Sequence, residues 1–156
     1  MAKTGLHDDC ALIGMAESDV GIVPDKTPRE LCVQVTLDAV RDAGLTLEDV
    51  DGLITCNAFA EPIMYHAEAV AEYLGWQPKH CVTVNTGGGT TFMAIKMAAA
   101  AIAAGMAHTI VIAMADSLRS HMTREQAMVV QSSSGHPHYE QPYGPTVPAY
   151  YALLAR

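Results

Sequence analysis

The residues best suited to chemistry form a glycine turn between a β-branched segment, Val82–Val84, and an apolar segment that runs to Ala104. The turn consists of Asn85, Thr86, Gly87, Gly88, Gly89 and Thr90. A turn from a strand into a helix directs backbone N–H groups and the positive end of the helix dipole at whatever lies in front of it. Such donors stabilise an oxyanion or polarise a carbonyl oxygen. A second interpretation stays open, in which the glycines only allow the turn to pack tightly against the helix.

Two nucleotide-binding loops are poor matches to this turn. A Walker loop ends in Gly-Lys followed by Ser or Thr, whereas this turn continues as Gly89-Thr90-Thr91. A dinucleotide-binding fingerprint needs a third glycine where this chain has Phe92. The functional interpretation that remains is an oxyanion or carbonyl site built from backbone N–H groups.

A second candidate group lies in a long polar loop, where His136, His138 and Glu140 alternate along the sequence. Alternate residues of an extended segment point the same way, so these side chains could meet at a metal ion. A metal site needs three or four ligands and partners that orient them, and no other ligand cluster lies nearby in sequence. We therefore expect no metal, and interpret His136, His138 and Tyr143 as part of a loop that covers a site.

The sequence does not place a nucleophile beside a base. Cys81 lies inside a predicted strand, and Cys56 lies at the end of another. The serines at 132–134 lack a Gly-x-Ser-x-Gly turn. His66 is expected at the edge of the core rather than in catalysis. The residues alone therefore predict neither a catalytic triad nor a pair of catalytic carboxylates.

Composition narrows the classes of partner. The 156 residues are 50% apolar and 17% charged, with a net charge of −8 and no run of basic residues, which excludes an ordinary nucleic-acid binder. Lys96 interrupts the longest apolar stretch, so no membrane span is predicted. The cysteines are isolated from one another, which favours reduced core residues in a cytoplasmic protein. They are Cys10, Cys32, Cys56 and Cys81.

Strand and helix segments alternate along the first three quarters of the chain. The predicted strands are Cys10–Ala16, Gly52–Cys56, Cys81–Val84 and Thr109–Ala115, and the predicted helices follow Thr27, Pro62 and Gly89. This alternation predicts an α/β fold with a largely parallel sheet. Ligands of such sheets bind beyond the carboxyl ends of the strands, where the glycine turn lies. The last of the three helices has almost no polar face, so it is expected to be buried on every side.

The sequence changes character after Ala115. Residues 117–130 are polar and favour a helix, residues 131–148 form a loop rich in Ser, Gly, Pro, His and Tyr, and another helix begins at Val147. A loop of that length is uncommon unless it lines a site or is disordered. We therefore expect one α/β region at 1–116 and a separate loop region at 117–156.

Several segments together resemble the thiolase superfamily, and within it the sterol-carrier and lipid-transfer-like branch. The matching segments are Asp42–Ile54, Ala71–Gly75, Val84–Asn85, Ala101–Gly105, Glu140–Pro145 and Pro148–Ala152. The resemblance implies two similar α/β halves stacked in five αβαβα layers. It implies that this chain is the N-terminal half followed by the start of the loop region, before the C-terminal half.

The resemblance also implies an unusual site. Aligning Val84-Asn85 with the Asn-x-x-Cys turn of thiolases places Gly88 at the position of the nucleophilic cysteine. Acid–base residues would come from the C-terminal half, and Gly135-His136-Pro137 copies a family motif only in its letters. The implied activity is retro-aldol cleavage of a β-hydroxyacyl-CoA, with the coenzyme A thioester as substrate and no further cofactor. The implied partners are a second copy and a zinc-ribbon/OB-fold protein of the DUF35 type.

Two alternatives to a lyase stay open at this point. One is a non-catalytic carrier of acyl-CoA or lipid, or a scaffold subunit. The other is a homologue of acetyl-CoA acyltransferase, a thiolase, whose cysteine has been lost.

Overall fold

Residues 9–133, 135–144 and 146–156 are described by the structure, a computed structural model of the chain. The chain forms two compact units, Met1–Ser117 and Leu118–Arg156. The first contains helices α1 (Pro28–Asp42), α2 (His66–Tyr73) and α3 (Thr90–Ala103) and strands β1 (Gly52–Thr55), β2 (His80–Thr83) and β3 (Ile110–Ala113). The second contains helices α4 (Leu118–His121), α5 (Arg124–Ser132) and α6 (Val147–Ala155). Short 3-10 turns occupy Leu47–Asp49, Gly87–Gly89 and Gln141–Tyr143.

The sheet of the first unit is parallel and has β1 in its centre, in the order β2-β1-β3. Leu53 of β1 is aligned with Cys81 of β2 and with Val111 of β3. The predicted α/β fold with a parallel sheet is confirmed.

The two faces of the sheet build two hydrophobic clusters, because neighbouring residues of a strand point to opposite sides. Leu53 packs with Cys32 of α1 and Val70 of α2. Ile54 packs on the other side, in a cluster that includes Ala94 of α3. Helices thus lie on both faces of the strands, and the carboxyl ends of the strands are left for loops.

Helix α1 begins and ends as its sequence predicts. Thr27 forms a capping box with Glu30, whose carboxylate accepts from the Thr27 backbone N–H at 2.8 Å. Pro28 occupies the first helical position, where a missing N–H costs nothing. Gly44 follows the helix with a φ of 71°, the left-handed conformation that glycine adopts without strain.

The predicted strand Cys10–Ala16 is wrong. This segment has no strand pairing among the described residues, and its large side chains are exposed, Leu12 by 84% and Met15 by 78%. Cys10 is exposed as well, which corrects its assignment to the core. Apolar composition favours a strand only where a neighbouring strand offers hydrogen bonds, and the segment finds no such neighbour.

The expectation that α3 is buried on every side is also wrong for the described chain. Ala94, Ala98 and Ala101 recur on one face and pack toward the sheet, while Phe92 on the opposite side is 76% exposed. Alanine side chains allow the helix to approach the sheet closely, so the narrow stripe of these three alanines is sufficient to pack α3 against the sheet. The outer face remains apolar and uncovered.

Other boundaries differ by a few residues. Helix α2 begins at His66 rather than directly after Pro62, because residues 57–65 form an irregular loop. The predicted helix at 117–130 is divided into α4 and α5, and Thr123 caps the second of these. The helix predicted from Val147 is present and ends at Ala155. Ser134 and Pro145 of the predicted loop lie outside the described residues.

Candidate functional site

The glycine turn connects β2 to α3 and is exposed from Asn85 to Gly89. Gly87 has a φ of 64°, which reverses the chain direction at little cost only because it lacks a Cβ. The Thr90 hydroxyl accepts from the Thr86 N–H at 3.0 Å and donates to the Gly87 carbonyl at 2.6 Å. The turn is therefore held by a buried threonine at the first position of the helix.

Gly88 stands at the tip of this turn with space around it. A Cβ built on Gly88 would meet no atom within 4 Å, and its φ lies outside the left-handed region. The packing interpretation of the glycines therefore does not apply to Gly88, since nothing packs against it in the described chain. The Thr86 and Thr90 N–H groups already have acceptors within the turn, so a ligand would meet the remaining backbone N–H groups of the turn and of the first turn of α3.

Loops from the neighbouring strands complete the carboxyl edge of the sheet, and Asp116 connects two of them. Its carboxylate accepts from the N–H groups of Phe59, at 2.7 Å, and Ala60, at 3.2 Å. The same carboxylate accepts from the Ser117 N–H at 2.8 Å. The segment after β3 is thereby fixed to the loop after β1.

An ion pair fixes the other end of the loop after β1. The guanidinium of Arg29, at the start of α1, donates to the Glu61 carboxylate at 2.6 Å. The same guanidinium lies 4.3 Å from the centre of the Tyr73 ring, an arrangement that favours a cation over the aromatic face. The loop is therefore positioned by polar contacts rather than by a regular element.

His66 is completely buried below this loop, where its Nδ1 lies 3.1 Å from the Thr55 hydroxyl. Its Nε2 has no hydrogen-bond partner among the described residues. Burial lowers the pKa of His66, and the carboxylates of Glu61 and Asp116 oppose this shift only partly. The ring is therefore neutral in the folded chain, and its expected place at the core edge is deeper than the sequence indicated.

Two more polar atoms at this edge are buried without a partner in the described chain, the Asn57 amide oxygen and the Ser117 hydroxyl. Asn57 follows the carboxyl end of β1, and Ser117 follows that of β3. Open α/β sheets bind ligands at this edge. The sequence did not single out either residue. Asp116 directly follows the predicted strand Thr109–Ala115, and this position alone could have indicated that it lies at the carboxyl edge of the sheet.

The three cysteines near the sheet, Cys32, Cys56 and Cys81, are poor nucleophiles. Burial raises the pKa of Cys32 to about 12 and that of Cys81 to about 11. The pKa of Cys56 is also raised, by burial and by the charge of Asp116. A thiol is reactive as the thiolate, so these side chains are unsuited to covalent catalysis at neutral pH.

The second unit carries the residues predicted to cover a site. The rings of His136 and His138 lie 6.0 Å apart, and Glu140 accepts from the His136 backbone N–H. Tyr143 is exposed. Among residues 9–133, 135–144 and 146–156, no group of three or more potential ligands could hold a metal ion. The role of this loop stays a prediction.

Comparison with known proteins identifies the architecture. The chain is similar to the Ltp2-ChsH2(DUF35) aldolase, with a TM-score of 0.60 and 27% identity over 83% of this chain and 32% of that chain. It is also similar to 3-oxoacyl-(acyl-carrier-protein) synthase III from Aquifex aeolicus VF5, with a TM-score of 0.56 and 20% identity over 67% and 35% of the two chains. The chain is similar to members of the thiolase superfamily in sequence and in fold. Its sheet and helices are part of a thiolase-like fold.

Curated relatives of this thiolase-like chain handle acyl-CoA compounds, as their names state. It is 28% identical over 159 residues to 17-hydroxy-3-oxo-4-pregnene-20-carboxyl-CoA lyase of Mycobacterium tuberculosis, covering 97% of this chain and 40% of the lyase. It is 24% identical over 151 residues to acetyl-CoA acetyltransferase of Methanocaldococcus jannaschii, covering 95% and 38%. The chain thus spans about two fifths of the length of these relatives. No protein-family model matches it.

Proposed function

We propose that this chain is the thiolase-like part of an acyl-CoA lyase that cleaves a β-hydroxyacyl-CoA by a retro-aldol reaction. The observation that carries the proposal is the exposed turn from β2 into α3, where nothing lies within 4 Å of the Cβ position of Gly88 and the backbone N–H groups at a helix start can serve as donors. A thiolase needs a cysteine at this position to form an acyl-enzyme. A retro-aldol reaction forms no acyl-enzyme, so at this position it needs only backbone hydrogen-bond donors and no nucleophile.

The chemistry requires one base and one site for negative charge. The base removes the proton of the β-hydroxyl group, and the Cα–Cβ bond breaks as a ketone or aldehyde forms. The bonding electron pair moves to Cα and is delocalised onto the thioester oxygen as an enolate, which is then protonated to give the shorter acyl-CoA. The backbone N–H group of Gly88 would stabilise the enolate oxygen.

The base is proposed to come from polypeptide outside these residues. Within the first unit, His66 is neutral but completely buried, so it does not reach a bound thioester. The relatives extend well beyond the matched two fifths, and that remainder is the proposed source of the acid–base groups. The similarity to a CoA lyase and to the Ltp2-ChsH2(DUF35) aldolase supports a DUF35-type partner as well.

A second candidate function, acetyl transfer, is favoured by the similarity to acetyl-CoA acetyltransferases. It requires that the cysteine has been replaced by Gly88. The open space around Gly88 leaves room for the missing side chain, so the two candidates are separated by restoring it.

The lyase proposal is tested with a protein in which these residues are joined to the polypeptide proposed to carry the base, in the presence of a DUF35-type protein and a panel of β-hydroxyacyl-CoA esters. Mass spectrometry should detect a shorter acyl-CoA and a ketone or aldehyde in equal amounts. Gly88→Leu should lower the rate by at least about a hundredfold, because the new side chain occupies the space in front of the backbone donors.

Ala103→Leu is the matched control, since Ala103 is an exposed residue near the distal end of the same helix. It should leave the rate unchanged. Absence of both products for every ester, or an unchanged rate in G88L, would contradict the proposal.

A further inference from the structure

The peptide group between Gly87 and Gly88 contains two polar groups of the turn from β2 into α3, the Gly87 carbonyl and the Gly88 N–H. In a trans peptide these groups lie in one plane and point in opposite directions. The described chain contains no cis peptide bond, so this relation holds here. A contact that fixes the direction of the Gly87 carbonyl therefore also fixes the direction of the Gly88 N–H.

The covalent chain alone does not fix the direction of this peptide group. A peptide group rotates when ψ of the residue before it and φ of the residue after it change together, and here both residues are glycines, which tolerate a wide range of angles. Nothing lies within 4 Å of the Cβ position of either glycine, so neighbouring side chains do not restrain the rotation. A rotated peptide group would present its carbonyl oxygen where the N–H stands, and that oxygen would repel a developing negative charge.

Thr90 holds the Gly87 carbonyl with two donors. Its hydroxyl donates to this carbonyl at 2.6 Å, and its backbone N–H donates to the same oxygen. The backbone bond belongs to a 3-10 turn, in which hydrogen-bond geometry is poorer than in an α-helix. The hydroxyl is itself oriented, because it accepts from the Thr86 N–H at 3.0 Å. Its only proton is therefore used for the carbonyl.

The two sides of the peptide group differ in their exposure. Thr90 is only 7% exposed, whereas Gly87 and Gly88 are exposed. A hydrogen bond from a buried side chain is strengthened by its low-dielectric surroundings. The Gly88 N–H, which points away from this bond, makes no hydrogen bond in the described part of the chain. The turn thus satisfies the carbonyl and leaves the N–H for a ligand.

We propose, resting on the function proposed above, that Thr90 is a positioning residue for the retro-aldol reaction. Its hydroxyl keeps the Gly88 N–H directed at the thioester oxygen on which the enolate charge forms. Thr90 does not touch the substrate, since its side chain is buried and both hydrogen bonds of its hydroxyl lie within the turn. The charge develops as the Cα–Cβ bond breaks, so the direction of the N–H affects the transition state more than the bound ester.

The geometric part is tested by nuclear magnetic resonance on the whole 156-residue chain. Residual dipolar couplings measure the direction of each backbone N–H bond, and the coupling of Gly88 in the unaltered chain should fit an N–H opposite to the Gly87 carbonyl. Thr90→Val removes the hydroxyl and keeps a branched side chain. The Gly88 coupling should then fall at least about twofold, because the peptide group between two glycines exchanges between orientations.

Two variants serve as controls for the coupling. Thr90→Ser retains the hydroxyl and should retain the Gly88 coupling. Thr36→Val removes the same atoms elsewhere, since Thr36 is also buried and its hydroxyl donates to the Cys32 carbonyl at 2.7 Å. It should leave the Gly88 coupling unchanged. If T90V does not fold, Thr90→Ala removes the hydroxyl instead, and a Gly88 coupling in the unaltered chain that does not fit the expected direction would by itself refute the proposal.

The chemical part is tested by steady-state kinetics in the joined protein that tests lyase activity. T90V should lower kcat at least about tenfold and change KM less than about twofold, because the lost interaction belongs to the transition state. The loss is smaller than that expected when a donor is removed entirely, since the Thr90 N–H still holds the carbonyl. T90S and T36V should retain kcat within about threefold.

The two measurements separate this proposal from the lyase proposal. An unchanged Gly88 coupling in T90V overturns the positioning role, whether or not the joined protein is a lyase. A reduced coupling with an unchanged kcat also overturns it, because the reaction then does not use the Gly88 N–H. Equal losses of kcat in T90V and T36V would indicate a general loss of stability and would likewise overturn it. A reduced coupling in a protein without lyase activity refutes the lyase proposal and with it the catalytic role of Thr90.

Discussion

Gly88 has an environment that accepts a side chain without strain. Its neighbour Gly87 has a positive φ and would resist substitution, whereas Gly88 does not, and nothing lies within 4 Å of the place for its Cβ. Sequence alone could not separate these adjacent glycines, because their difference lies in backbone angles. The distinction makes Gly88, unlike Gly87, a position where the side chain of a thiolase nucleophile can be introduced without backbone strain.

Gly88→Cys should give a folded protein with a reactive thiol. The start of α3 favours negative charge, which lowers the pKa of a thiol placed there. We expect G88C to be alkylated by iodoacetamide at pH 7 about tenfold faster than Cys10, which is exposed and serves as the internal reference. Mass spectrometry of tryptic peptides measures both rates. Equal rates would contradict the assignment of this turn as a site for negative charge.

In the intact complex, the same substitution also separates the two candidate functions. A gain of acetyl transfer from acetyl-CoA supports a thiolase that lost its cysteine. Loss of lyase activity without any transfer supports the retro-aldol proposal.

His66 makes stability depend on pH. Burial lowers its pKa in the folded chain, while in the unfolded chain it titrates near 6.5. The unfolded chain therefore binds the proton first as pH falls. The contribution of neutral His66 is complete above about pH 6.5 and declines below it.

His66→Gln should reduce the difference in unfolding free energy between pH 7 and pH 5, measured by urea titration. At pH 7 the substitution should itself cost about 1–3 kcal/mol, since the contact with Thr55 is buried. His138→Gln, at an exposed position of the second unit, should leave the pH difference unchanged. An unaltered pH difference in H66Q would show that another group controls acid stability.

Asp51 fixes the entry into β3. Its carboxylate accepts from the backbone N–H groups of His108 at 2.8 Å and Thr109 at 3.0 Å, and it lies 3.1 Å from His108 Nδ1. Partial burial raises the pKa of Asp51, but these hydrogen bonds outweigh it and bring the pKa to about 2. A carboxylate in a loop thus defines where the strand starts.

Asp51→Ala should destabilise the chain by about 1–3 kcal/mol, because two backbone donors lose their acceptor. Asp51→Asn is the matched variant and should retain most of the stability, since an amide oxygen still accepts from His108 and Thr109. The contribution of the charged form is present above about pH 4 and is lost as pH falls toward 2. Thermal melts at pH 7 and pH 3 measure both effects, and equal melting temperatures of D51A and the unaltered chain would refute them.

The elements that could be predicted from sequence are those whose signals are local. The capping box at Thr27 and the glycine after α1 act within a few residues, and the structure has both. Whether residues 10–16 form a strand, and whether the outer face of α3 is buried, depends on the polypeptide that packs beside them. Composition does not reveal that polypeptide. Asp116 and Glu61 were missed for the same reason, since their partners lie 32 to 57 residues away.

The apolar outer face of α3 remains uncovered on the first unit. Phe92 is its most exposed large residue, and Met93 and Ile95 are partly exposed beside it. Contiguous apolar surface of this kind drives association. No helix in the described residues is long and apolar enough to cross a membrane.

Phe92→Gln should lower self-association of the chain with almost no change in fold stability. A side chain that is 76% exposed contributes little burial, and surface substitutions typically change the unfolding free energy by less than about 0.5 kcal/mol. Ala94→Gln is the control on the opposite face of α3, where the side chain is completely buried against the sheet. It should destabilise by about 1–3 kcal/mol through overpacking. Light scattering over a concentration series and urea unfolding measure the two quantities separately. If F92Q loses stability as A94Q does, the outer face of α3 is covered within the chain itself.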